Sequence, residues 1–353
     1  MSAVLSDHRI AVVGATGAVG REVLAILAQR GVPGARVLAL ASDRSDGTHL
    51  PYGDHDVTVH ALSRADFAGV RIAIFAADAE IARLHAPRAI DAGAVVIDNS
   101  SAFRLDPRVP LVVPEINGAA ASASGGGSKG LIANPNCSAV ILCLALEPLR
   151  RRFGVERVVV STYQAVSGAG IAAMEELHEQ AADVLHARAV RPRVFREPCA
   201  FNVFSHDSAM EVVSGVNGEE RKIIDETRKI WSLPDLPVTP TCIRVGVMRA
   251  HAQSIVVTLS SPASVREARE AYEGFPGLGL VDDRENNTFP TPLKASGRDE
   301  VLVGRLRADP GVALDAHGRT RSIALFACGD QLRKGAALNA IQIAERVVAG
   351  SSG

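Results

Sequence analysis

Apolar positions recur with two different periods along this chain, and the switching between them predicts its architecture. Arg9–Val13 is a short β-branched run that stops at Gly14 and reads as a strand. Over residues 18–30, Val19, Val23, Ile26 and Leu27 fall at helical spacing. Further strands are expected at Val37–Ala41, 72–76 and 94–97, with an alanine-rich, helix-compatible stretch at 79–92. Strands alternating with helices predict a parallel, doubly wound sheet. The small-residue segment 117–130 interrupts this pattern and reads as a surface loop near a domain junction.

Beyond residue 134 the texture changes. Residues 158–163 look like a strand and 172–187 like a helix, and 212–216, 244–247 and 254–260 are expected to be longer strands of an α+β domain. The final stretch, 335–348, is amphipathic, with Leu338, Ile341, Ile343 and Val347 among its apolar positions. No internal repeat is visible.

Composition narrows the function classes. The 353 residues suit two domains with ample core. Lys+Arg number 38 and Asp+Glu 39, a formal net charge of −1, which gives no basic footprint for nucleic acid or anionic membrane. The longest uninterrupted apolar run, 139–146, is too short to span a bilayer. The first residues carry no signal-peptide core, so a cytoplasmic protein is expected. Five scattered cysteines without a CxxC pair or Cys/His ligand spacing predict neither a disulfide framework nor a metal site.

Two stretches carry chemistry. Gly14-Ala15-Thr16-Gly17-Ala18-Val19-Gly20 lies between the first strand and the first helix, where glycines let the backbone turn and approach a pyrophosphate at a helix N-terminus. Ser42-Asp43-Arg44-Ser45 closes the second strand; the acid suits a ribose 2′-hydroxyl, whereas Arg44 and Ser45 suit a 2′-phosphate and favour NADP. In Asn134-Pro135-Asn136-Cys137-Ser138, Asn136 is a plausible helix cap that leaves Cys137 in the first turn, where the free N–H groups and the helix dipole favour a thiolate. The other four cysteines read as buried structural residues. A thiolate beside a nicotinamide implies aldehyde oxidation or thioester reduction, which needs a base, and His251 is the best candidate of ten histidines.

These motifs, with Asp98-Asn99-Ser100-Ser101-Ala102-Phe103-Arg104, Val113-Pro114-Glu115-Ile116-Asn117, Gln164 ahead of Ser167-Gly168-Ala169-Gly170, Glu219-Glu220-Arg221-Lys222, Arg244-Val245-Gly246-Val247 and Asp330-Gln331-Leu332-Arg333-Lys334-Gly335, give a chain that resembles the aspartate-β-semialdehyde dehydrogenase family along nearly its whole length. The resemblance implies an α/β fold: a Rossmann-type NADP-binding domain at 1–133, completed by a C-terminal helix at 331–353, and an α+β catalytic and dimerisation domain at 134–330. It also implies NADP-dependent reductive dephosphorylation of L-4-aspartyl phosphate to L-aspartate 4-semialdehyde by a homodimer or homotetramer. That product feeds lysine (through diaminopimelate), methionine, threonine and isoleucine synthesis.

Residue by residue, the resemblance implies that Cys137 forms the acyl-thioester and that His251 is its acid/base. Gln164 would orient the substrate, Arg244 would hold its α-carboxylate through a bidentate fork, and Glu219 would meet its α-ammonium. Arg104, Asn136 and Lys222 would bind phosphate. Gly14, Thr16, Gly17, Ala18, Val19, Arg44, Ser45, Ser167, Gly168 and Gln331 would line NADP. Read without the family, Arg104 is a solvated charge and Glu219 with Lys222 a surface i,i+3 pair. The chain departs from the family at Asp43, where a small polar residue is more common, at Gly246 in place of proline, and at Gln331 in place of asparagine. Two other readings compete. One is N-acetyl-γ-glutamyl-phosphate reductase, whose cysteine sits in a Pro-Gly-Cys-Tyr context unlike this one; the other is a catalytically silent relative acting as a binding protein.

Overall fold

The computed structural model describes residues 3–123 and 130–350. Residues 124–129 of the expected loop, residues 1–2 of the first expected domain and residues 351–353 of the expected terminal helix lie outside the described residues. The chain divides into two compact units between Asn136 and Cys137, with the stretch from Gly335 onward joining the first.

In the first unit, strand β1 (Arg9–Val13), helix α1 (Ala18–Gln29) and strand β2 (Val37–Ala41) open a parallel sheet, with Ile10 opposite Val37. β3 (His49–Tyr52) and β4 (His55–Ala61) then form an antiparallel hairpin whose β4 runs parallel to β2. β5 (Val70–Phe75), α2 (Ala79–Asp91) and β6 (Val95–Asp98) extend the other side, followed by α3 (Pro114–Asn117), α4 (Ala119–Ala123) and β7 (Leu131–Ala133). The sheet order is β3-β4-β2-β1-β5-β6-β7. The central strands β1, β5 and β6 are buried almost end to end, as both faces of a covered parallel sheet require. The expected loop over 117–130 is instead helical as far as Ala123. Pro114 stands at the first turn of α3 and alanines fill α4, which favours helix over loop.

The second unit begins with α5 (Cys137–Phe153), followed by β8 (Arg157–Gln164), α6 (Ile171–Leu185), β9 (Val203–Ser205), α7 (Gly218–Trp231), β10 (Val238–Val245) and β11 (His251–Ala263). It continues through α8 (Val265–Glu270), β12 (Leu278–Leu280), α9 (Pro292–Ala295), β13 (Val301–Ala308) and β14 (Thr320–Gly329). These strands make a mixed sheet in the order β12-β13-β14-β11-β8-β10-β9. β8 and β11 alternate buried with half-buried residues, the mark of a sheet with one packed face. α5 is buried continuously from Ser138 to Leu149, so the apolar run in the sequence is a core helix. Residues 212–216, expected as a strand, form a turn in which Val212 and Val213 are each 96% exposed. Their β-branched composition mimics a strand, but among the described residues no strand pairs with them.

α10 (Leu338–Gly350), entered through a π-helical turn at Arg333–Ala337, belongs to the first unit. Its Leu338, Ile341, Ile343 and Val347 share one apolar core with Val23 and Leu27 of α1 and Ile10 and Val12 of β1. Among the described residues no helix is long and apolar enough to cross a membrane, and no cluster of metal-ligating side chains occurs.

Candidate active site

The glycine loop of the first unit is shaped by steric need at two of its three glycines. Gly14 has φ +82°, and a Cβ there would lie 2.3 Å from Ala76 O. A Cβ at Gly20 would lie 2.1 Å from Gly14 O, so only glycine lets α1 start this close to the loop. Gly17, exposed at the start of α1, is under no such constraint, and its small size leaves the approach to Thr16, Ala18 and Val19 open. The first turn of α1 carries no acidic residue. A helix start without acidic residues, behind a tight glycine turn, has the dipole and the shape that suit a dinucleotide pyrophosphate.

Asp43, Arg44 and Ser45 form a 3-10 turn after β2. Ser63 Oγ donates to Asp43 Oδ1 at 2.7 Å, whereas Arg44 is exposed with no partner among the described residues. Arg104 is not a solvated charge: it is buried, its Nε donating to Asn134 O (3.0 Å) and its Nη2 to Asn99 O (2.6 Å). Asn134 is fixed in turn, its Nδ2 donating to Asn99 Oδ1 and its Oδ1 accepting from Asn339 Nδ2 at 2.7 Å. Asn339 of α10 thus braces the loop leading to Asn136, which is itself buried. No sequence feature of Asn339 marked it beyond a polar residue in an apolar helix face.

In the second unit, α5 begins at Cys137, again with no acid in its first turn. Cys137 is half-buried, while Cys143, Cys199, Cys242 and Cys328 are buried free thiols. Burial pushes the Cys242 and Cys328 thiols up to about 12 and Cys143 higher still, which leaves them inert.

His251 Nε2 lies 3.6 Å from Cys137 Sγ. The imidazole is fully buried, at the first position of β11, and Ala165 N–H donates to its Nδ1 at 3.0 Å. Burial first, then the Arg244 charge, lowers its pKa to about 3, so the ring is neutral. A neutral ring that accepts at Nδ1 carries its proton on Nε2, directed at the sulfur.

The same residue that orients His251 holds Arg244, whose Nη1 donates to Ala165 O at 3.0 Å. Arg244 on β10 stands opposite Gln164 on the parallel neighbour β8, so the two lie side by side at the carboxyl ends of these strands. Gln164 Nε2 donates to Glu219 Oε1 (3.1 Å) and Lys222 Nζ to Glu219 Oε2 (3.2 Å). Glu219 is buried, so this i,i+3 pair is not a fully solvated surface pair. Gly168 lies over the cluster; a Cβ there would stand 3.3 Å from His251 Cε1 and 3.6 Å from Arg244 Nη1. Gln331 Nε2 donates to Ser167 Oγ, and Gln331 Oε1 accepts from Ala250 N–H at 2.9 Å. That bond holds Ala250, at φ +71°, in the left-handed conformation that launches His251 into the site. The second unit therefore gathers Cys137, His251, Gln164, Arg244, Glu219, Lys222, Ser167, Gly168 and Gln331. Gly14, Thr16, Gly17, Ala18, Val19, Arg44, Ser45, Arg104 and Asn136 lie on the first.

Three neighbours of Arg244 escaped the sequence reading; one is Asp207, whose Oδ1 stands 3.6 Å from Nη2. Phe195 places its ring 5.1 Å from the guanidinium, and His206 Nε2 stands 2.8 Å from Nη2. Phe195 lies on a loop tied down by α6: Glu176 Oε2 accepts the N–H groups of Arg193 and Val194, and Gln180 Oε1 those of Cys199 and Ala200. The loop closes on Gly246, where a Cβ would fall 2.6 Å from Cys199 O, so this position has no room for proline.

Comparison with known proteins places these clusters in a wider set. Residues 9–124 match the family described as semialdehyde dehydrogenase, NAD binding domain, and residues 146–334 the family described as semialdehyde dehydrogenase, dimerisation domain. The chain is 42% identical over 343 residues to aspartate-semialdehyde dehydrogenase from Synechocystis sp., covering 97% of this chain and 98% of the relative. It is 43% identical over 353 residues to that of Mycolicibacterium smegmatis, covering 96% and 99%. The crystal structure of aspartate semialdehyde dehydrogenase II from Vibrio cholerae, complexed with ASA, superposes with TM-score 0.90 at 38% identity, covering 97% and 98% of the two chains.

Proposed function

The chain belongs to the aspartate-semialdehyde dehydrogenase family, and from that premise we propose that it interconverts L-4-aspartyl phosphate and L-aspartate 4-semialdehyde with NADP, through a thioester on Cys137. It is an oxidoreductase that uses a nicotinamide cofactor. The observation that supports the reading most directly is the backbone of Ala165, which fixes the imidazole facing the thiol with its N–H and the guanidinium with its C=O.

In the reductive direction the Cys137 sulfur attacks the C4 carbonyl carbon of the acyl phosphate. The C–O bond to phosphate breaks, phosphate leaves with the electron pair, and a thioester remains. Negative charge on the sulfur is stabilised by the start of α5 and by the His251 Nε2–H. A bound nicotinamide supplies the hydride that reduces the thioester carbon. The His251 Nε2–H hydrogen-bonds the carbonyl oxygen as charge develops there, stabilising a tetrahedral oxyanion on Cys137 while the ring stays neutral. The oxyanion then reforms the carbonyl, the C–S bond breaks and the sulfur departs with its electron pair as the thiolate that began the cycle. A neutral imidazole with its proton on Nε2 is the form this cycle needs.

Arg244, buried and aligned beside Gln164, is assigned to the substrate α-carboxylate, Glu219 to the α-ammonium, and Gln164 to orientation. Arg104, Asn136 and Lys222 are assigned to phosphate. Gly14, Thr16, Gly17, Ala18 and Val19 are assigned to the cofactor, with Ser167, Gly168 and Gln331 from the second unit. NADP is preferred over NAD because Arg44 is free to meet a 2′-phosphate beside Ser45, while one oxygen of Asp43 is occupied by Ser63. In this reading residues 1–133 with the terminal helix bind nucleotide, and 134–330 carry catalysis and the contact of a homodimer or homotetramer. A cytoplasmic setting keeps the thiol reduced.

Incubation with L-4-aspartyl phosphate in the absence of cofactor tests the covalent step. Intact-mass and peptide analysis should find one aspartyl group on Cys137; acylation elsewhere, or none, would remove the thioester from the reaction.

A further inference from the structure

His206 follows the short edge strand β9, and its Nε2 lies 2.8 Å from Arg244 Nη2. A guanidinium only donates hydrogen bonds, so Nε2 faces it as the acceptor. Burial, reinforced by the Arg244 charge, holds this imidazole below its ordinary range, so neutral is the form present. Nδ1 lies 3.2 Å from Ser208 Oγ, and the Ser208 N–H is directed at the same atom at 3.2 Å. The Ser208 hydroxyl passes its own proton to Asn217 Oδ1 (3.3 Å) and accepts the N–H of Glu219 (3.0 Å). Asn217 Oδ1 accepts that same N–H and the N–H of Glu220, which caps α7. A chain of polar contacts through His206, Ser208 and Asn217 thus runs from the Arg244 guanidinium to the backbone of Glu219.

We propose that His206 is a positioning residue that sets the spacing between Arg244 and Glu219, and so selects an α-amino acid head group. The inference rests on the reading above, in which these two residues hold the substrate carboxylate and ammonium. An α-amino acid carries its two charges on a single carbon, so the cation and anion that receive them have to stand at a fixed separation. Arg244 Nε has no partner among the described residues and is left for the ligand, while Nη1 donates to Ala165 O and Nη2 faces both His206 Nε2 and Asp207 Oδ1. Arg244 is anchored to β10 and Glu219 to α7; the side chains of His206, Ser208 and Asn217 link them.

Steady-state kinetics with L-aspartate 4-semialdehyde, and with succinate semialdehyde, which lacks the ammonium, tests this. His206→Ala is expected to raise KM for the aspartyl substrate about tenfold or more, as loss of a charged hydrogen bond does. It should leave kcat within about threefold and the KM values for phosphate and NADP unchanged. Preference for the aspartyl over the succinyl substrate should shrink by a similar factor. His206→Gln places an amide oxygen where Nε2 stands and should restore most of the KM and the preference. Ser208→Ala, which cuts the chain at the next link, should raise the same KM by about threefold.

An unchanged KM in folded His206→Ala or Ser208→Ala would overturn the positioning role. So would a glutamine variant as impaired as the alanine one, or losses shared equally by both substrates. Absence of turnover in the wild type is a separate result, and it would overturn the underlying reading along with the inference.

Discussion

Acidification should expose the protonation state of His251. The buried ring accepts the Ala165 N–H and has its pKa lowered from 6.5 to about 3. Below pH 6.5 the unfolded chain therefore binds a proton that the folded chain refuses. The stability conferred by the neutral ring is fully present above 6.5 and is lost as the pH falls from there toward about 3. The cost for one such group, RT ln(1 + 10^(6.5−pH)), grows from about 0.2 kcal/mol at about pH 7 to about 2 kcal/mol at about pH 5. His251→Asn removes the titration while its Oδ1 keeps an acceptor for the Ala165 N–H, so the difference between wild type and variant isolates this term. Trp231 is the single tryptophan, buried on α7 in the unit that holds His251, and its fluorescence follows unfolding of that unit in urea. Between those two pH values the wild type should lose about 2 kcal/mol more than the variant. Parallel losses would mean that the folded ring titrates near its ordinary value, and would refute the assignment of the proton to Nε2 of a neutral ring.

Other outcomes follow from the same geometry. Cys137→Ala should abolish turnover while calorimetry still finds NADP binding, because the glycine loop and Arg44 lie on the other unit. Arg244→Lys loses the fork as well as the bonds to Ala165 and His206, and should raise KM for the semialdehyde by about 10- to 100-fold, measured by initial rates. Gly20→Ala forces a Cβ to within 2.1 Å of Gly14 O, and should abolish NADP binding and lower the thermal midpoint.

Local pattern was a good guide where one period dominated. β1, α1, β2 and α2 have nearly the predicted limits, because each is either buried on both faces or presents one apolar stripe. The hairpin β3–β4 was not read. It lies at a sheet edge, alternates polar with apolar residues, and contains Pro51 and Gly53, which resemble loop residues when pairing partners are unknown. Val212 and Val213 misled in the opposite direction, since β propensity expresses packing that an isolated turn does not supply.

Motifs supplied Cys137, His251, Gln164, Glu219 and Arg244, which the fold collects within one unit. The supporting residues were illegible. Phe195, His206 and Asn339 act through partners that lie 49, 38 and 205 residues away in the chain, at Arg244, Arg244 and Asn134. No local spacing encodes such a contact. Ala165 matters through its backbone, to which its side-chain identity gives no clue.

The account's central claim is the reaction itself, and the most direct measurement is reduction of NADP by the purified protein with L-aspartate 4-semialdehyde, with and without phosphate. N-acetylglutamate semialdehyde and NAD serve as the competing substrate and cofactor. The account predicts turnover of the aspartyl substrate that requires phosphate and prefers NADP. Turnover confined to the acetylated substrate, or NADP binding without turnover of either, would contradict it.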